Sequence, residues 1–287
     1  MRYAFIAEQC RHYTVTRLCD VMQVSRRGYY DWLNRSPSPR EISNLHLLSE
    51  IKRVFYANRE VYGAPRIYHT LREEGLACGL NRIARLMRDI KLVPKTVKKF
   101  RVTTDSRQSH RPAPNRLERD FSACRPNEKW VADVTYVPTR EGWLFLAVVL
   151  DLFSRKVVGW SMGTRLTSQL AQRALSHAIE QRMPDKGLLI HSDQGKEYYA
   201  NEYQLLLNDN GFICSMSRRG NCYDNAAMES FFHSLKVEQV HHDDYRTRNE
   251  ARSVIFEYIE LFYNRQRKHS TIGYLSPVAF EERVLLN

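Results

Sequence analysis

The sequence predicts an α/β protein, a mixed sheet layered with helices and preceded by small all-helical units. Three observations carry this. Residues 128–138, EKWVADVTYVP, alternate with the period of two that a strand requires. From residue 142 onward, further apolar runs give way to segments of helical period and back again. Before residue 95 only helical spacing occurs, punctuated by Pro, Gly and Ser.

The first unit covers residues 1–36. In YTVTRLCDVMQVSRRGYYDWLNR (13–35) a capping-type Thr precedes LCDVM, a break falls at Gln23-Val24-Ser25, and Ser25 is placed to cap a second short helix. This is the outline of a helix-turn-helix, with Arg26 and Arg27 at the start of the reading helix. SPSPRE (36–41) reads as a punctuating linker. A second helix-turn-helix unit spans 43–94. Pro65 sits where a first turn tolerates it, Gly75 and Gly79 bracket a turn, and Ile83, Leu86, Met87 and Ile90 make an apolar stripe. Arg82, Arg85 and Arg88 line another side of that last helix, as a solvated face or a phosphate-facing one; the regional charge favours the second. Residues 95–119 carry eight basic residues against two acidic, two prolines and no sustained period. They predict a basic linker ordered on nucleic acid, with Lys98, Lys99 and Arg101 as contacts.

The core is expected over 120–240. On its first strand Trp130, Ala132, Val134 and Tyr136 share one face, and Val131, Asp133 and Thr135 the other. GWLFLAVVLDLFSRKVVGWSM reads as strand, a plain turn at Asp151–Arg155, and strand. TSQLAQRALSHAIEQR is a capped amphipathic helix, LLIHSD a strand, NEYQLLLNDNG a helix stopped by Gly211, and FICSMS a strand. YDNAAMESFFHSLKVEQV is a further helix, with Asp224 as its cap and Met228, Phe231, Phe232 and Leu235 as its buried stripe. Three meandering strands, helix, strand, helix, strand, helix: this order is that of a ribonuclease-H-like layer. Residues 241–287 form a helical tail, in which HHDDY (241–245) reads as a solvated loop rather than a metal site.

Composition narrows the function. Net charge is +12, yet residues 1–119 hold 24 Lys and Arg against 11 Asp and Glu, and residues 120–287 hold 20 against 21. A basic region beside a neutral one implies that one part holds a polyanion, and nucleic acid fits because phosphate contacts release condensed counterions. The six cysteines include no CxxC pair, so they read as reduced thiols and not as a zinc site. The longest apolar run, WLFLAVVL, falls far short of the roughly 20 residues of a membrane span. Glu8 and Arg11 interrupt any signal-peptide core. A cytoplasmic protein is expected, associated with the nucleoid when bound to DNA.

Three carboxylates then stand out. Asp133 lies on the first strand, Asp193 ends the fourth, and Glu229 follows Asp193 by a gap of thirty-five residues, in the first turns of a helix. Asn225, Glu229 and Lys236 share a face of that helix, since positions seven apart nearly eclipse. Alone, Asp193 reads as a turn residue and Glu229 as a solvated one; the order of all three within the sheet is what points to chemistry. Carboxylates held together repel unless a cation intervenes, and hard oxygen ligands select Mg²⁺ or Mn²⁺. Two such ions serve phosphodiester displacement. Lys236 is placed to reach a phosphate, and Gly195 to admit a close approach of backbone or DNA. In the tail, Arg265, Arg267 and Lys268 read equally as phosphate contacts or as an exposed charged helix end.

W-V-A-D-V-T-Y, H-S-D-Q-G-K-E-Y and N-A-A-M-E-S-F-F-H-S-L-K together resemble the DDE transposases of the insertion-sequence-three family, in particular their catalytic second-frame product, with its retroviral-integrase-like core. YGAPRIYHTL and LNRIARLMR resemble that family's helix-turn-helix insert, and YNRQRKHSTIGYLSPVAF (263–280) its C-terminal tail, so the resemblance covers nearly the whole chain. It implies catalysis by Asp133, Asp193 and Glu229 with Mg²⁺ or Mn²⁺. A terminal 3′-OH freed by hydrolysis attacks another phosphodiester, and joining of the two element ends gives a circle that is later integrated. The implied partners are double-stranded DNA (element ends and target), further copies of the chain on that DNA, and the element's first-frame product with its own helix-turn-helix and leucine zipper. No sustained heptads occur here, so that first-frame part is expected to be absent. The competing readings are a ribonuclease-H-like nuclease without strand transfer and a DNA-binding regulator with an inert core.

Overall fold

The structure is a computed structural model and describes residues 1–95, 113–218 and 222–286. Helices α1 (Arg2–Gln9), α2 (Val15–Val21) and α3 (Arg26–Leu33) form a small head closed on Ile6, Leu18, Cys19 and Tyr29. Thr14 accepts from the Arg17 amide and Ser25 from the Gly28 amide, so both caps fall where expected. Helix α1 adds to the two helices the sequence suggested. The linker at 36–41 needs correction, because α4 (Pro39–Ala57) already begins inside it. Ser38 Oγ accepts from the Glu41 amide at 3.3 Å while the Glu41 carboxylate accepts from the Ser38 amide at 2.6 Å, a reciprocal capping box with Pro39 in the first turn. Helices α5 (Ala64–Glu73) and α6 (Leu80–Asp89) follow. Most of the basic segment, with Lys98, Lys99 and Arg101, lies outside the described residues.

The sheet consists of β1 (Lys129–Thr139), β2 (Gly142–Asp151), β3 (Val157–Gly163), β4 (Leu189–Ser192) and β5 (Ile213–Met216) in the order β3-β2-β1-β4-β5. The β1–β2–β3 meander is antiparallel, whereas β4 runs parallel to β1 and β5 parallel to β4. Alternation along β1 sends Trp130 and Ala132 into one core, with α7 (Ser168–Arg182), α8 (Lys196–Tyr199) and α9 (Asn201–Asp209). Val131 and Val137 enter the other, beneath α10 (Ala226–Glu238) and α11 (Arg248–Glu257). A π-helical turn, Tyr258–Tyr263, and α12 (Pro277–Leu285) complete the tail.

Helix α7 presses unusually close to the sheet. It buries Ala171, Ala174 and Ala178, and a Cβ on Gly159 of β3 would fall 2.3 Å from the Ala174 carbonyl oxygen. Only glycine leaves room for the helix there. Thr167 occupies the N-cap position of α7 without a side-chain cap, contrary to the capped start expected. The Asp151–Arg155 turn forms as read, but Asp151 is wholly buried and accepts from the Asn127 and Phe153 amides at 2.9 Å, which makes it an anchor as well as a turn residue.

The second helical unit does not stand apart. Leu47, Ile51, Ile67, Leu71 and Ile83 belong to the same apolar cluster as the α10 face of the sheet. Polar contacts join it to the tail: Arg59 pairs with Glu257, the Tyr62 hydroxyl donates to the Gln266 carbonyl at 3.0 Å, and His69 stacks on Tyr274. Among the described residues no helix is long and apolar enough to cross a membrane.

Candidate active site

The parallel pairing of β1 with β4 sets the site. Ala132 is opposite Ser192 at the end of that ladder, so Asp133 and Asp193 come next on neighbouring chains, about 5 Å apart by ordinary strand spacing. Beyond that point β1 continues with β2 alone. The Asp133 side shared with Val131 and Val137 is the face α10 covers, and Glu229 stands in the first turn of α10. Each aspartate is held by a nearby amide. Asp133 Oδ1 accepts from Val134 at 2.7 Å and Asp193 Oδ1 from Gly195 at 2.9 Å.

Electrostatics ties the group together. Burial, then the Asp193 charge, then those of Glu197 and Glu229, push the Asp133 pKa well above the usual carboxylate range, against the pull of the Val134 amide. Burial raises Asp193 and Glu229 as well. Lys236 is lowered by burial and raised by Asp133, and its ammonium sits 5.0 Å from the centroid of the Tyr136 ring, a cation–π contact. The carboxylates are neighbours rather than a closed cage: among the described residues no three Asp, Glu, His or Cys side chains already converge as metal ligands. Charged acids at this spacing repel unless a cation intervenes. An oxygen-only donor set with raised proton affinity fits a hard divalent cation.

Sequence reasoning missed Glu197. It reads as a polar helix residue four places beyond Asp193, yet it is buried, and burial followed by Asp193 raises its pKa. A Cβ on Gly195 would lie 2.5 Å from Glu197 Oε1, so the Glu197 side chain approaches closely there. Its spacing of four from Asp193 is no helical signal, because α8 begins only at Lys196, and local pattern offered none. Asn225 is only 5% exposed, and neither its amide nitrogen nor its oxygen has a partner among the described residues.

The remaining candidates divide. Arg26, Arg27, Arg85, Arg88 and Arg265 are exposed, and Arg26 donates to the Thr16 hydroxyl at 3.5 Å. Arg82 is half-buried and donates to Asn44 and Ser43 at 2.8 Å, so its guanidinium is largely occupied. Arg267 is a correction: at 5% exposure it is clamped by Glu238, which accepts from its Nε and Nη2, and it is not an exposed helix end. Lys268 is tied to Glu73. Asp224 does not cap α10. A short 3-10 turn, Cys222–Asn225, precedes the helix, and Asp224 holds Arg218, Arg119 and Asn115 instead; Arg218 holds its carboxyl well below the usual range. The HHDDY acids and histidines are exposed, as expected of a loop.

The raised carboxylates give a metal-free stability test. An acid whose pKa rises on folding binds more protons folded than unfolded, so its stabilising contribution is complete below the ordinary carboxylate pKa of about 4 and is lost as pH climbs through the folded value. In chelator at about pH 8, Asp133→Asn is therefore expected to melt at a higher temperature than the parent and to lose less stability as pH rises. Matching melting curves for the two proteins across the acid-to-neutral range would contradict this.

An acidic pair where β1 and β4 meet in parallel, beside the antiparallel β1–β2–β3 meander, is the arrangement of an integrase-type core. Known families match accordingly: an integrase core domain over residues 123–222, another integrase core domain over 229–285, and an HTH-like domain over 43–100. The insertion element IS600 uncharacterized 31 kDa protein of Shigella sonnei is 46% identical across 93% of this chain and 98% of its own. Transposase InsF for insertion sequence IS3A of Escherichia coli (strain K12) is 41% identical across 99% of this chain and all of its own. The HTLV-2 integrase catalytic core domain in complex with magnesium superposes with a TM-score of 0.43 at 18% identity, over 56% of this chain and 99% of that one, a likeness too loose to build on. The chain belongs to the IS3 family of transposases, polynucleotidyl transferases with an integrase core.

Proposed function

We propose that Asp133, Asp193 and Glu229 bind Mg²⁺ or Mn²⁺, two ions per site, and that this chain cuts and joins DNA strands at the ends of an insertion sequence there. The observation that carries the reading is the register of β1 and β4, which sets Asp133 beside Asp193 and within reach of the Glu229 charge. When bound, divalent ions supply Lewis acidity to the attacking and the leaving oxygen of an in-line displacement. The chain supplies the rest. The Val134 and Gly195 amides fix the direction of the two aspartates. Lys236 brings a cation to the edge of the carboxylates, where a scissile phosphate needs one, and Tyr136 beneath it offers an exposed ring on which a base can stack.

The reading extends to the partners. Arg26, Arg27, Arg85, Arg88 and Arg265 are exposed cations for phosphate contact, and Lys98, Lys99 and Arg101 are assigned the same role from sequence. Division into two helix-turn-helix units, a basic linker, a core and a tail suits an enzyme that holds two DNAs. Pairing of element ends calls for more than one copy of the chain, and the first-frame product of the same element is the partner that would bring terminal-repeat recognition. The place of action is the bacterial cytoplasm, on the nucleoid.

The test is strand transfer with a pre-cut element end and a supercoiled target. Joined products are expected in Mg²⁺ or Mn²⁺ and none in chelator. Products of hydrolysis alone would make the chain a nuclease, and activity untouched by chelator would remove the ions from the reaction.

A further inference from the structure

A cavity of about 430 Å³ lies against α10 on the flank away from Glu229. Ala226, Ser230 and Ser234 line it, and at 3.6 residues per turn Glu229 and Lys236 fall on the other side of the helix. Arg66 from α5, Arg155 from the β2–β3 turn and Arg267 from the tail form its wall, so three separate parts of the chain send a guanidinium to one place.

The charges there do not balance. Glu238 is the carboxylate bonded at this wall, and Arg267 takes it with contacts as short as 2.6 Å. Arg66 stands 3.7 Å from the same carboxylate and donates its Nε hydrogen to the Lys268 carbonyl. Arg155 has even less: its guanidinium donates to the Phe121 carbonyl at 3.4 Å, and Asp151, whose charge it feels, is already held by Arg182 and two amides. Burial lowers the pKa of both Arg66 and Arg155, and burial followed by the three arginine charges drives His269 well down. Of these two desolvated cations, Arg66 shares a carboxylate already bonded by Arg267, and Arg155 is paired with none in this wall. They stand beside serine and threonine hydroxyls and match a tetrahedral oxyanion, for which the planar guanidinium fork is suited.

We infer that this cavity is a phosphate-binding site for DNA, seating one phosphodiester on Arg155 and Arg66 with Ser230, Ser234 and Thr271 as further donors. It rests on the reading of the chain as a DNA strand transferase. It places a second grip on the nucleic acid across the width of α10 from the carboxylates, roughly 10 Å away. DNA held on both flanks would fix the helix that carries Glu229 against the strand being cut.

The experiment measures binding of the full chain to an element-end duplex in chelator, titrated with salt. Arg155→Gln is expected to weaken binding several-fold and to make the slope of log affinity against log salt shallower by about one phosphate contact. Ser230→Glu, an exposed position that needs no refolding, is expected to weaken binding in the same way. Parental affinity and slope in Ser230→Glu, whatever the folding of Arg155→Gln, would overturn the site. Inorganic phosphate that raises the parent's melting temperature, with DNA slopes unchanged in both variants, would assign the cavity to a free anion and also overturn it. Because binding is read without metal, absence of strand transfer by the parent in a separate assay with Mg²⁺ or Mn²⁺, alongside altered slopes in the variants, would sink the catalytic reading and leave this one standing.

Discussion

Asp193→Asn is expected to reduce strand joining by at least about a thousandfold, roughly 4 kcal/mol of barrier. Affinity for an element-end duplex without metal should stay within about twofold, since the change removes a negative charge beside DNA and no phosphate contact. The effect is large because the asparagine amide keeps the shape and loses the charge. One oxygen becomes a nitrogen that cannot serve a cation, and the hydrogen bond from Gly195 meets a neutral acceptor. Burial and a neighbouring acid make ionisation of this pair costly, which is the expense a bound cation offsets. Gel analysis of joined products beside binding isotherms separates the two quantities. Normal joining by the asparagine variant would remove Asp193 from the reaction.

Glu238→Ala should cost about 3–5 kcal/mol of stability, a large share of the roughly 5–15 kcal/mol that holds an ordinary protein folded. Arg267 would keep a buried charge with no carboxylate, and Tyr258 would lose the acceptor its hydroxyl meets at 2.8 Å. Here burial works to lower the Arg267 pKa and the Glu238 hydrogen bonds overcome it, so removal of the acid reverses the balance. Glu238 ends the helix that begins near Glu229, so strand transfer should become heat-sensitive along with the fold. Replacing both partners, as in Glu238→Gln with Arg267→Met, should recover much of the loss, because a neutral pair leaves no stranded ion. Urea midpoints for the single and double variants decide it. A midpoint for Glu238→Ala equal to the parent's would show that the clasp does not hold the helix.

Much of the architecture was readable from local pattern. The alternation through Trp130, Ala132 and Val134 located β1 and its two faces, and the Leu170–Ala178 stripe located α7. Asp133 could be singled out because strands are depleted in aspartate, and Asp193 and Glu229 only through their order with it along the chain. What stayed hidden depends on distant partners. Arg267 looked like a surface cation because Glu238 lies twenty-nine positions away, and Asp224 looked like a cap because Arg119 lies 105 away. Glu197 is buried on α8, which packs against α7 and α9, and no local period reports that. The start of α4 is a different failure: Ser38, Pro39 and Glu41 carried a legible capping box that the two prolines of SPSPRE obscured.

The three-helix head closes on only four buried apolar side chains, and its helices contact chiefly one another. Below about 40 residues a chain seldom sustains a fold from its own interior and borrows stability from a staple, a metal or a companion. On the role proposed for Arg26 and Arg27, the companion is the duplex. Grip and folding then draw on a single free energy, and whatever lifts this head from its groove also loosens it.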